Sequence, residues 1–518
     1  MNKKTRILLI DITGDWLGSG AESGGRFAQV AQKAVRPLVS YPIGLMYLAA
    51  SAKEVFGSEI TCTIVSTALD CPSPTAVVRL AHTKQPNIVG IRALSMHRSM
   101  YQDIVRVLRD SLDDILILGG GPYPSCQPAD ALCDGQVDAV VRGEGEEAFV
   151  AIIEAYRHGE RRWHTIPNVH AAGTPIRLDN NNPIRLPLDD IPFPEYSKSL
   201  VAKFAKVKNM SRRYSNHANI VSSRGCPYQC TYCHNIFGKR FRYRSEENVF
   251  DEIRNLYETH GIREFQFIDD IFNLRRDRLI GFFDLVVRHD LPLIFSFPNG
   301  VRGDILDHES VDAMIEGGTR YLFFAVESAS ERIQSLIHKN LKLDRIAENI
   351  AYASRRECVT GGFFMLGFPT ETIEEVRATI EFACATDLTD GYFFVATYYP
   401  GTEMYDLAIK NGFEPSSEDG ENFFKPKNGA YAFSAQELTG ISRTARREFY
   451  FSEKRIELKR RQLPVFFSPK EITEITVSQI TSCDIEEGDI GHDEYRRYMA
   501  PYFSFARRID SMGIHFDF

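Results

Sequence analysis

A chain of 518 residues with 43% hydrophobic and 25% charged side chains is ordinary for a soluble protein with several cores of roughly 100–200 residues each. Its 61 Lys and Arg against 69 Asp and Glu leave a net charge of −8, which sets up no overall field for polyanions, so nucleic acid is not expected as a partner. No apolar segment reaches the ~18 residues that span a bilayer, and the first apolar run is broken by Asp11 and Asp15, unlike a signal peptide. The expected compartment is therefore the cytoplasm, where clustered thiols bind metal or do chemistry more often than they pair.

From the N-terminus, short β-branched runs at 6–12, 59–65, 87–93, 114–118 and 138–142 alternate with helical patterns, one opening near Pro42 and another near Glu146. Five such units predict a doubly wound parallel α/β sheet over residues 1–165. Sheets of this kind bind ligands beyond the carboxyl ends of their strands. Glycines collect there: Gly119, Gly120 and Gly121 after the fourth run, Gly143 and Gly145 after the fifth. Such glycines let backbone N–H groups approach a ligand, and they equally serve tight turns; the sequence leaves both open.

A polar, proline-containing stretch at 171–194 reads as part of an ordered linker spanning 166–205. Strand patterns then recur at 218–223, 264–269, 292–297, 320–326, 361–366 and 391–397, each followed by a helical stretch such as 245–260 or 371–385. Six repeats predict a partial (β/α)6 barrel over 206–410 with functional residues on the loops after the strands. Residues 411–518 read as a mainly helical region that covers substrate, with Phe423, Phe424, Tyr431, Tyr450 and Phe451 either packing or lining the cavity.

The loop after the first of these six runs reads "SRGCPYQCTYCHN" and holds Cys226, Cys230 and Cys233. Thiolates at i, i+4 and i+7 of one loop can meet on a metal centre. A structural zinc takes four protein ligands, and His234 is the nearest fourth. A cubane iron–sulfur cluster takes one thiolate per iron, so three cysteines leave one iron open to a small chelating molecule. A zinc-stabilised binding module is thus the alternative from outside enzymology.

The spacing CxxxCxxC with Tyr232 before its last cysteine resembles the radical S-adenosylmethionine (SAM) enzymes. The segments "FQFIDDIF", "FFAVESAS", "FFMLGFPTET" and "YYPGTEMYDLA" are similar to their cobalamin-dependent branch, and "YPIGLMYLAA" with "LILGGGPYPS" resembles the cobalamin-binding domain that precedes the barrel there. This resemblance covers about residues 5–410. It implies a 4Fe-4S cluster on Cys226, Cys230 and Cys233, with SAM chelated to the open iron and cleaved to a 5′-deoxyadenosyl radical by an external one-electron donor of flavodoxin or ferredoxin type. Carried over by position, Gln266 and Asp269 would meet the SAM ammonium group and Arg302 its carboxylate. Glu327 and Ser328 would hold the ribose or methionine moiety, and Gly367 would leave room for adenine. The DxHxxG histidine that ligates cobalt in many cobalamin domains is replaced by Thr13, so cobalamin without that ligand is implied; His97, Met96 and Arg98 are its other lower-face neighbours. The activity implied is methylation of an unactivated sp3 carbon of a small-molecule or peptide substrate. Cyclisation, ring contraction or oxidation with the same cofactors is the alternative. A methylthiotransferase fits less well, because Cys62, Cys71, Cys126 and Cys133 are scattered.

Overall fold

The computed structural model describes residues 4–13, 39–176, 186–234, 236–413 and 432–482. Phe423, Phe424 and Tyr431 lie outside the described residues.

The first sheet contains β1 (Thr5–Asp11), β2 (Ile60–Ser66), β3 (Ile88–Arg92), β4 (Leu116–Gly120), β5 (Ala139–Val141) and β6 (Val169–Ala171), in the order β2-β1-β3-β4-β5-β6. All neighbours are parallel except β5 and β6. Along β1 the side chains alternate: Ile7 and Leu9 pack with Leu45, Ala49, Phe149 and Ile152 on one face, Leu8 and Ile10 with Val77, Tyr101 and Leu108 on the other. With both faces buried the strand reads as a continuous apolar run. Each such side chain contributes about 1.5–3 kcal/mol on burial, enough to offset ~1–2 kcal/mol of backbone ordering per residue only when both faces are covered. The chain reverses from β1 to the neighbouring strands β2 and β3 on either side, which places the switch point of this doubly wound sheet at the ends of β1 and β3.

The expected linker is more structured than its composition suggests. β6 adds an antiparallel edge strand to the first sheet, and the helix Lys198–Phe204, capped by Ser197, buries Leu200, Val201 and Phe204 in the core of the second unit. Neither element shows a long period, and a three-residue strand leaves no alternation to read.

The second sheet is wholly parallel: β7 (His217–Ile220), β10 (Glu264–Phe267), β11 (Ile294–Val301), β12 (Thr319–Glu327), β13 (Val359–Leu366) and β14 (Asp390–Val395), paired in chain order. It is open between β7 and β14, a partial barrel. The six strands fall where the sequence pattern put them, with one informative difference. The first ends at Ile220 because Ser223–Arg224 leaves the sheet as β8 to pair antiparallel with β9 (Arg242–Tyr243). Phe265, Phe267, Leu322, Phe324 and Phe364 pack outward against the surrounding helices. Tyr321 and Phe323, the alternate residues of β12, face the barrel interior and meet Leu463, Phe466, Phe467, Ile472 and Ile475 of the helices Glu453–Phe466 and Pro469–Ser482.

The expectation that 411–518 covers substrate does not extend to the last two described helices. The helices Glu453–Phe466 and Pro469–Ser482 sit at the amino ends of the strands, where Glu471 accepts from Tyr214 N and Gln479 donates to Asp390, the first residue of β14. The helix Ala435–Tyr450 instead runs along β14, from Leu438 packed with Phe368, Val395 and Tyr398 at the carboxyl end to Tyr450 at Asp390. The last two helices form the barrel floor, opposite the strand ends that carry function. Tyr450 is buried, its hydroxyl bonded to Asp390 and the Gly391 carbonyl. None of the described helices is long and apolar enough to cross a membrane.

Candidate active site

The cysteine loop is the turn of the β8–β9 ribbon, pinned at its neck. Gly225 has φ +84°, and a Cβ there would lie 2.4 Å from the Arg240 carbonyl oxygen, so only glycine fits. Asp270 accepts from Gly225 N at 3.3 Å, and Cys226 N donates to the Gly238 carbonyl. At the middle of the loop, Thr231 N donates to the Ile337 carbonyl and accepts, through its own carbonyl, from Met404 N. Cys226 and Cys230 are half-buried and Cys233 is exposed. Cys233 is accessible yet densely surrounded, as in a recess, and burial with the neighbouring thiols pushes its thiol up to about 12. Thiol donors alone suit an iron–sulfur cluster.

His234 is not a fourth ligand in this arrangement. Its Nδ1 lies 3.4 Å from the Ser95 hydroxyl and its Nε2 lies 3.2 Å from the Pro400 carbonyl oxygen, so both ring nitrogens are spent. That removes the feature on which the zinc alternative stood.

Beside the cysteines, a buried charged group occupies the end of β12. Glu327, in the left-handed region at φ +68°, accepts from Lys339 Nζ at 2.7 Å and from Tyr232 Oη at 3.2 Å, while Lys339 also reaches Tyr232 Oη at 3.0 Å. A non-glycine residue held in that region at a strand end is strained backbone of the kind kept at ligand sites. Arg302 pairs with Asp304 at 2.9 Å, donates to the Lys339 carbonyl at 2.8 Å and stacks 3.8 Å over the Tyr228 ring, between Cys226 and Cys230. Tyr232, Glu327 and Arg302 are thus brought together with the cysteine loop. Sequence reading missed Lys339 and Tyr228, because contacts across such separations leave no local pattern.

Three other candidates are turned elsewhere. Gln266 points to the barrel floor, where its amide donates to Ser211 Oγ and Glu264. Asp269 Oδ1 accepts from Ser222 N at 3.1 Å, Ser222 Oγ at 2.8 Å and Ser223 Oγ at 2.5 Å, so that oxygen fastens the start of the β8 strand, while the buried Oδ2 has no hydrogen-bond partner among the described residues. Ser328 is fully buried, its hydroxyl shared with Thr379 and Ser330 N as part of a turn. Each belongs to a strand-end sequence motif; the direction of its side chain is set by neighbours distant in sequence. Gly367, at φ +86°, donates its N–H to Glu371 Oε2 at 2.6 Å, and Phe368 N joins it at 3.0 Å. Burial pushes the Glu371 carboxyl up to about 7, against those two donors.

On the first sheet the glycines divide. A Cβ on Gly119 would lie 2.3 Å from Tyr101 Oη, one on Gly121 2.7 Å from Arg92 Cγ, and one on Gly145 3.1 Å from Leu48 Cδ2. Of the two roles the sequence left open, the protein's own packing accounts for Gly119 and Gly121, and Gly145 lies close against Leu48. Gly120 has only the Val141 carbonyl oxygen at 3.9 Å and therefore leaves bare space at the end of β4. Gly143, at φ +75°, donates to Ser125 Oγ and comes within 3.3 Å, at a built Cβ, of the Ile236 carbonyl beyond the cysteine loop. At the switch point Asp11 pairs with Arg92 at 2.6 Å, and Thr13 spends its hydroxyl on Ser66 Oγ at 2.6 Å. Arg98 is forked onto Asp130, and Met96 is buried. His97 is buried with Nδ1 unpartnered among the described residues, and desolvation followed by Arg92 lowers it to about 4, a neutral imidazole. An orphaned buried nitrogen and bare space at one rim fit a large planar cofactor there.

Both sets of strand ends face each other. Ser95 of the first unit meets His234, Gly143 meets Ile236, and Gly401 beyond β14 comes within 3.3 Å, at a built Cβ, of the Cys126 carbonyl. A parallel partial barrel with three thiols on its first loop defines the class, a radical SAM enzyme. The Radical SAM superfamily model matches residues 220–383 and the B12 binding domain model matches residues 31–153. An uncharacterized methyltransferase of Pyrococcus horikoshii is 30% identical over 373 residues, covering 71% of this chain and 79% of its own. A cytidylyl-2-hydroxyethylphosphonate methyltransferase of Streptomyces wedmorensis is 27% identical over 431 residues, covering 74% and 80%. The structure of the radical SAM methyltransferase TsrM from Kitasatospora setae with cobalamin and a [4Fe-4S] cluster bound shares the fold at TM-score 0.63 and 16% identity, over 93% of this chain and 99% of that one. The cobalamin-dependent enzyme OxsB does so at TM-score 0.62 and 13% identity, over 100% and 82%. The chain belongs to the cobalamin-dependent branch of the radical SAM superfamily, and its cofactors are those of that family: a 4Fe-4S cluster, SAM and cobalamin.

Proposed function

We propose that the protein is a C-methyltransferase acting on an unactivated sp3 carbon of a small-molecule or peptide substrate. The observation that carries this reading is the meeting of the two rims: the loop of Cys226, Cys230 and Cys233 opens toward the strand ends of the first sheet through His234–Ser95 and Gly143–Ile236. When bound, the cluster with SAM supplies a radical able to open a C–H bond, and cobalamin supplies a methyl carrier.

In this reading Cys226, Cys230 and Cys233 hold the cluster, and the Tyr232–Glu327–Lys339 group beside them orients the amino-acid end of SAM through charge-assisted bonds. Arg302, stacked on Tyr228, keeps the loop flat against the barrel rim and presents a cation to a carboxylate. Gly367, drawn in by Glu371, leaves the fifth strand end open for adenine. Gly120, open at its Cβ position, would give cobalamin close backbone approach, and His97 and Arg92 stand at the neighbouring strand end. The division of labour runs along 1–165 and 206–410, in the cytoplasm, with an electron donor of flavodoxin or ferredoxin type. Similarity to the Pyrococcus methyltransferase and the Streptomyces phosphonate methyltransferase supports methyl transfer over cyclisation or oxidation.

The test supplies SAM with a deuterated methyl group to the reconstituted, reduced protein together with an extract of small metabolites. A new product carrying the labelled methyl, with 5′-deoxyadenosine formed in step, supports the reading. Deoxyadenosine with a dehydrogenated or cyclised, unlabelled product would replace methylation with the oxidative alternative.

A further inference from the structure

We propose that Arg224 is a positioning residue that holds the cysteine loop and the glycine loop after β5 at one fixed separation, and so fixes the spacing of the two cofactors. The proposal rests on the cofactor reading above. Arg224 closes β8, two residues before Cys226. Its buried side chain forks: Nη1 donates to Glu144 Oε2 at 2.9 Å and Nη2 to Glu146 Oε1 at 2.6 Å. Arg242, its ribbon partner on the far side of the loop, bonds the other oxygen of Glu144. The Tyr47 and Phe237 rings flank the Arg224 guanidinium at 5.3 and 5.5 Å.

The placement of the four charges gives them a role beyond packing. Glu144 stands between Gly143 and Gly145, and Glu146 is the first residue of the helix Glu146–Arg157, where the helix dipole favours a carboxylate. The two arginines are the two ends of the ribbon that bears the cysteines. The quartet is therefore a rigid clamp from the neck of one cofactor loop to the neck of the other. Other ion pairs tying the first sheet's helices to the following segment lie nearer solvent: Lys53–Glu195 has side chains 60% and 44% exposed, and Lys203–Asp70 35% and 21%, against 6%, 10% and 9% for Arg224, Glu144 and Glu146. A buried ion pair adds little stability over apolar side chains of the same volume, but it fixes direction and register. Lysine cannot replace the fork, because one ammonium does not present two parallel N–H bonds in a plane.

Two variants test this in the full chain. Glu144→Gln with Glu146→Gln keeps both shapes and removes both charges; Arg224→Lys keeps the charge and loses the fork. The first readout is hydrogen exchange in the cofactor-free protein. Peptides covering 141–147 and 221–245 should exchange about tenfold faster in both variants, while β3 keeps its protection. The second is the dipolar coupling between the reduced cluster and cobalt(II) in the reconstituted protein. The wild type should give one narrow distance, and the variants a broadened distribution at unchanged iron and cobalt content, which a merely structural role would not produce. Loss of β3 protection marks misfolding of the double variant, and Arg224→Lys then carries the test. Unchanged exchange or an unchanged narrow distance in a folded variant would overturn the proposal. Wild-type protein that takes up iron but no cobalt overturns the cofactor spacing together with the cobalamin reading, whereas a cobalt-loaded wild type with insensitive spacing overturns this inference alone.

Discussion

Two sheets, one wholly parallel and one parallel but for its β6 edge, offer their carboxyl ends to one shared space, and they furnish those ends differently. The barrel rim is built of thiols and buried charge: three cysteines on a pinned ribbon, Glu327 with Lys339, and Arg302 with Asp304. The rim of the first sheet is built of glycine and of polar groups closed on protein partners, with Gly120 and Gly143 at the strand ends, Thr13, Ser66 and Ser125 bonded among themselves or to backbone, and Asp11, Glu144 and Glu146 each paired with an arginine. A charged, flexible molecule such as SAM needs directional partners in low dielectric. A large rigid cofactor needs room and backbone instead. The difference shows how one topological rule, ligands beyond strand ends, serves two unlike ligands by a change of side chains alone.

The sharpest way to separate the rims is to replace Cys226, Cys230 and Cys233 together by alanine. Bound iron should vanish and SAM cleavage should fall at least about a hundredfold, as expected when a metal's ligands are removed, while cobalt uptake persists. Loss of both metals would show the two rims to be one site. Next in size is Lys339→Met. It leaves the Glu327 carboxylate buried and uncompensated, at a cost of about 3–5 kcal/mol in chemical unfolding. Adding Glu327→Gln should recover about 1–3 kcal/mol of that loss, the coupling expected of a contacting pair.

Glu371 predicts a pH dependence confined to the barrel rim. Burial raises its folded pKa from 4.5 to about 7, so between those values the folded state binds the extra proton. Stability contributed by this group is present below about 4.5 and is lost as pH rises to about 7, by up to about 3 kcal/mol. Glu371→Gln should flatten that slope and exceed the wild type in stability at pH 8; an unchanged slope in urea titrations would show that another group sets it. The smallest effects lie on the first sheet. Gly119→Ala forces a Cβ onto Tyr101 and should lower stability by about 1–3 kcal/mol without weakening cobalamin once folded. Gly120→Ala meets only open space, so it should leave the melting temperature nearly unchanged and weaken cobalamin severalfold. Identical behaviour of the two would erase the distinction between packing and ligand-facing glycines.

Periodicity carried much of this architecture. Parallel strands buried on both faces leave dense apolar runs, and all six barrel strands and the first five of the other sheet fell at their runs. β6 is too short to carry a period, and the helix Lys198–Phe204 hides in a polar stretch. The cysteine loop is legible because its ligands lie within eight positions of one another. Gln266, Asp269 and Ser328 show the limit of motif reading: their positions at strand ends are right, yet Ser211, Ser222 and Thr379, far off in sequence, decide where their polar atoms point. Lys339 and the Arg224–Glu144–Glu146 clamp carry no local pattern at all, since their meaning lies in contacts made only on folding.

An iron–sulfur rim and a cobalamin rim that face each other in one chain should fill together. Iron and cobalt should be counted per chain after oxygen-free purification and reconstitution with iron, sulfide and cobalamin, with the absorption spectrum recorded alongside. About four irons, as a cubane requires, and one cobalt are expected together; stoichiometric zinc with neither iron nor cobalt would rule out the facing pair.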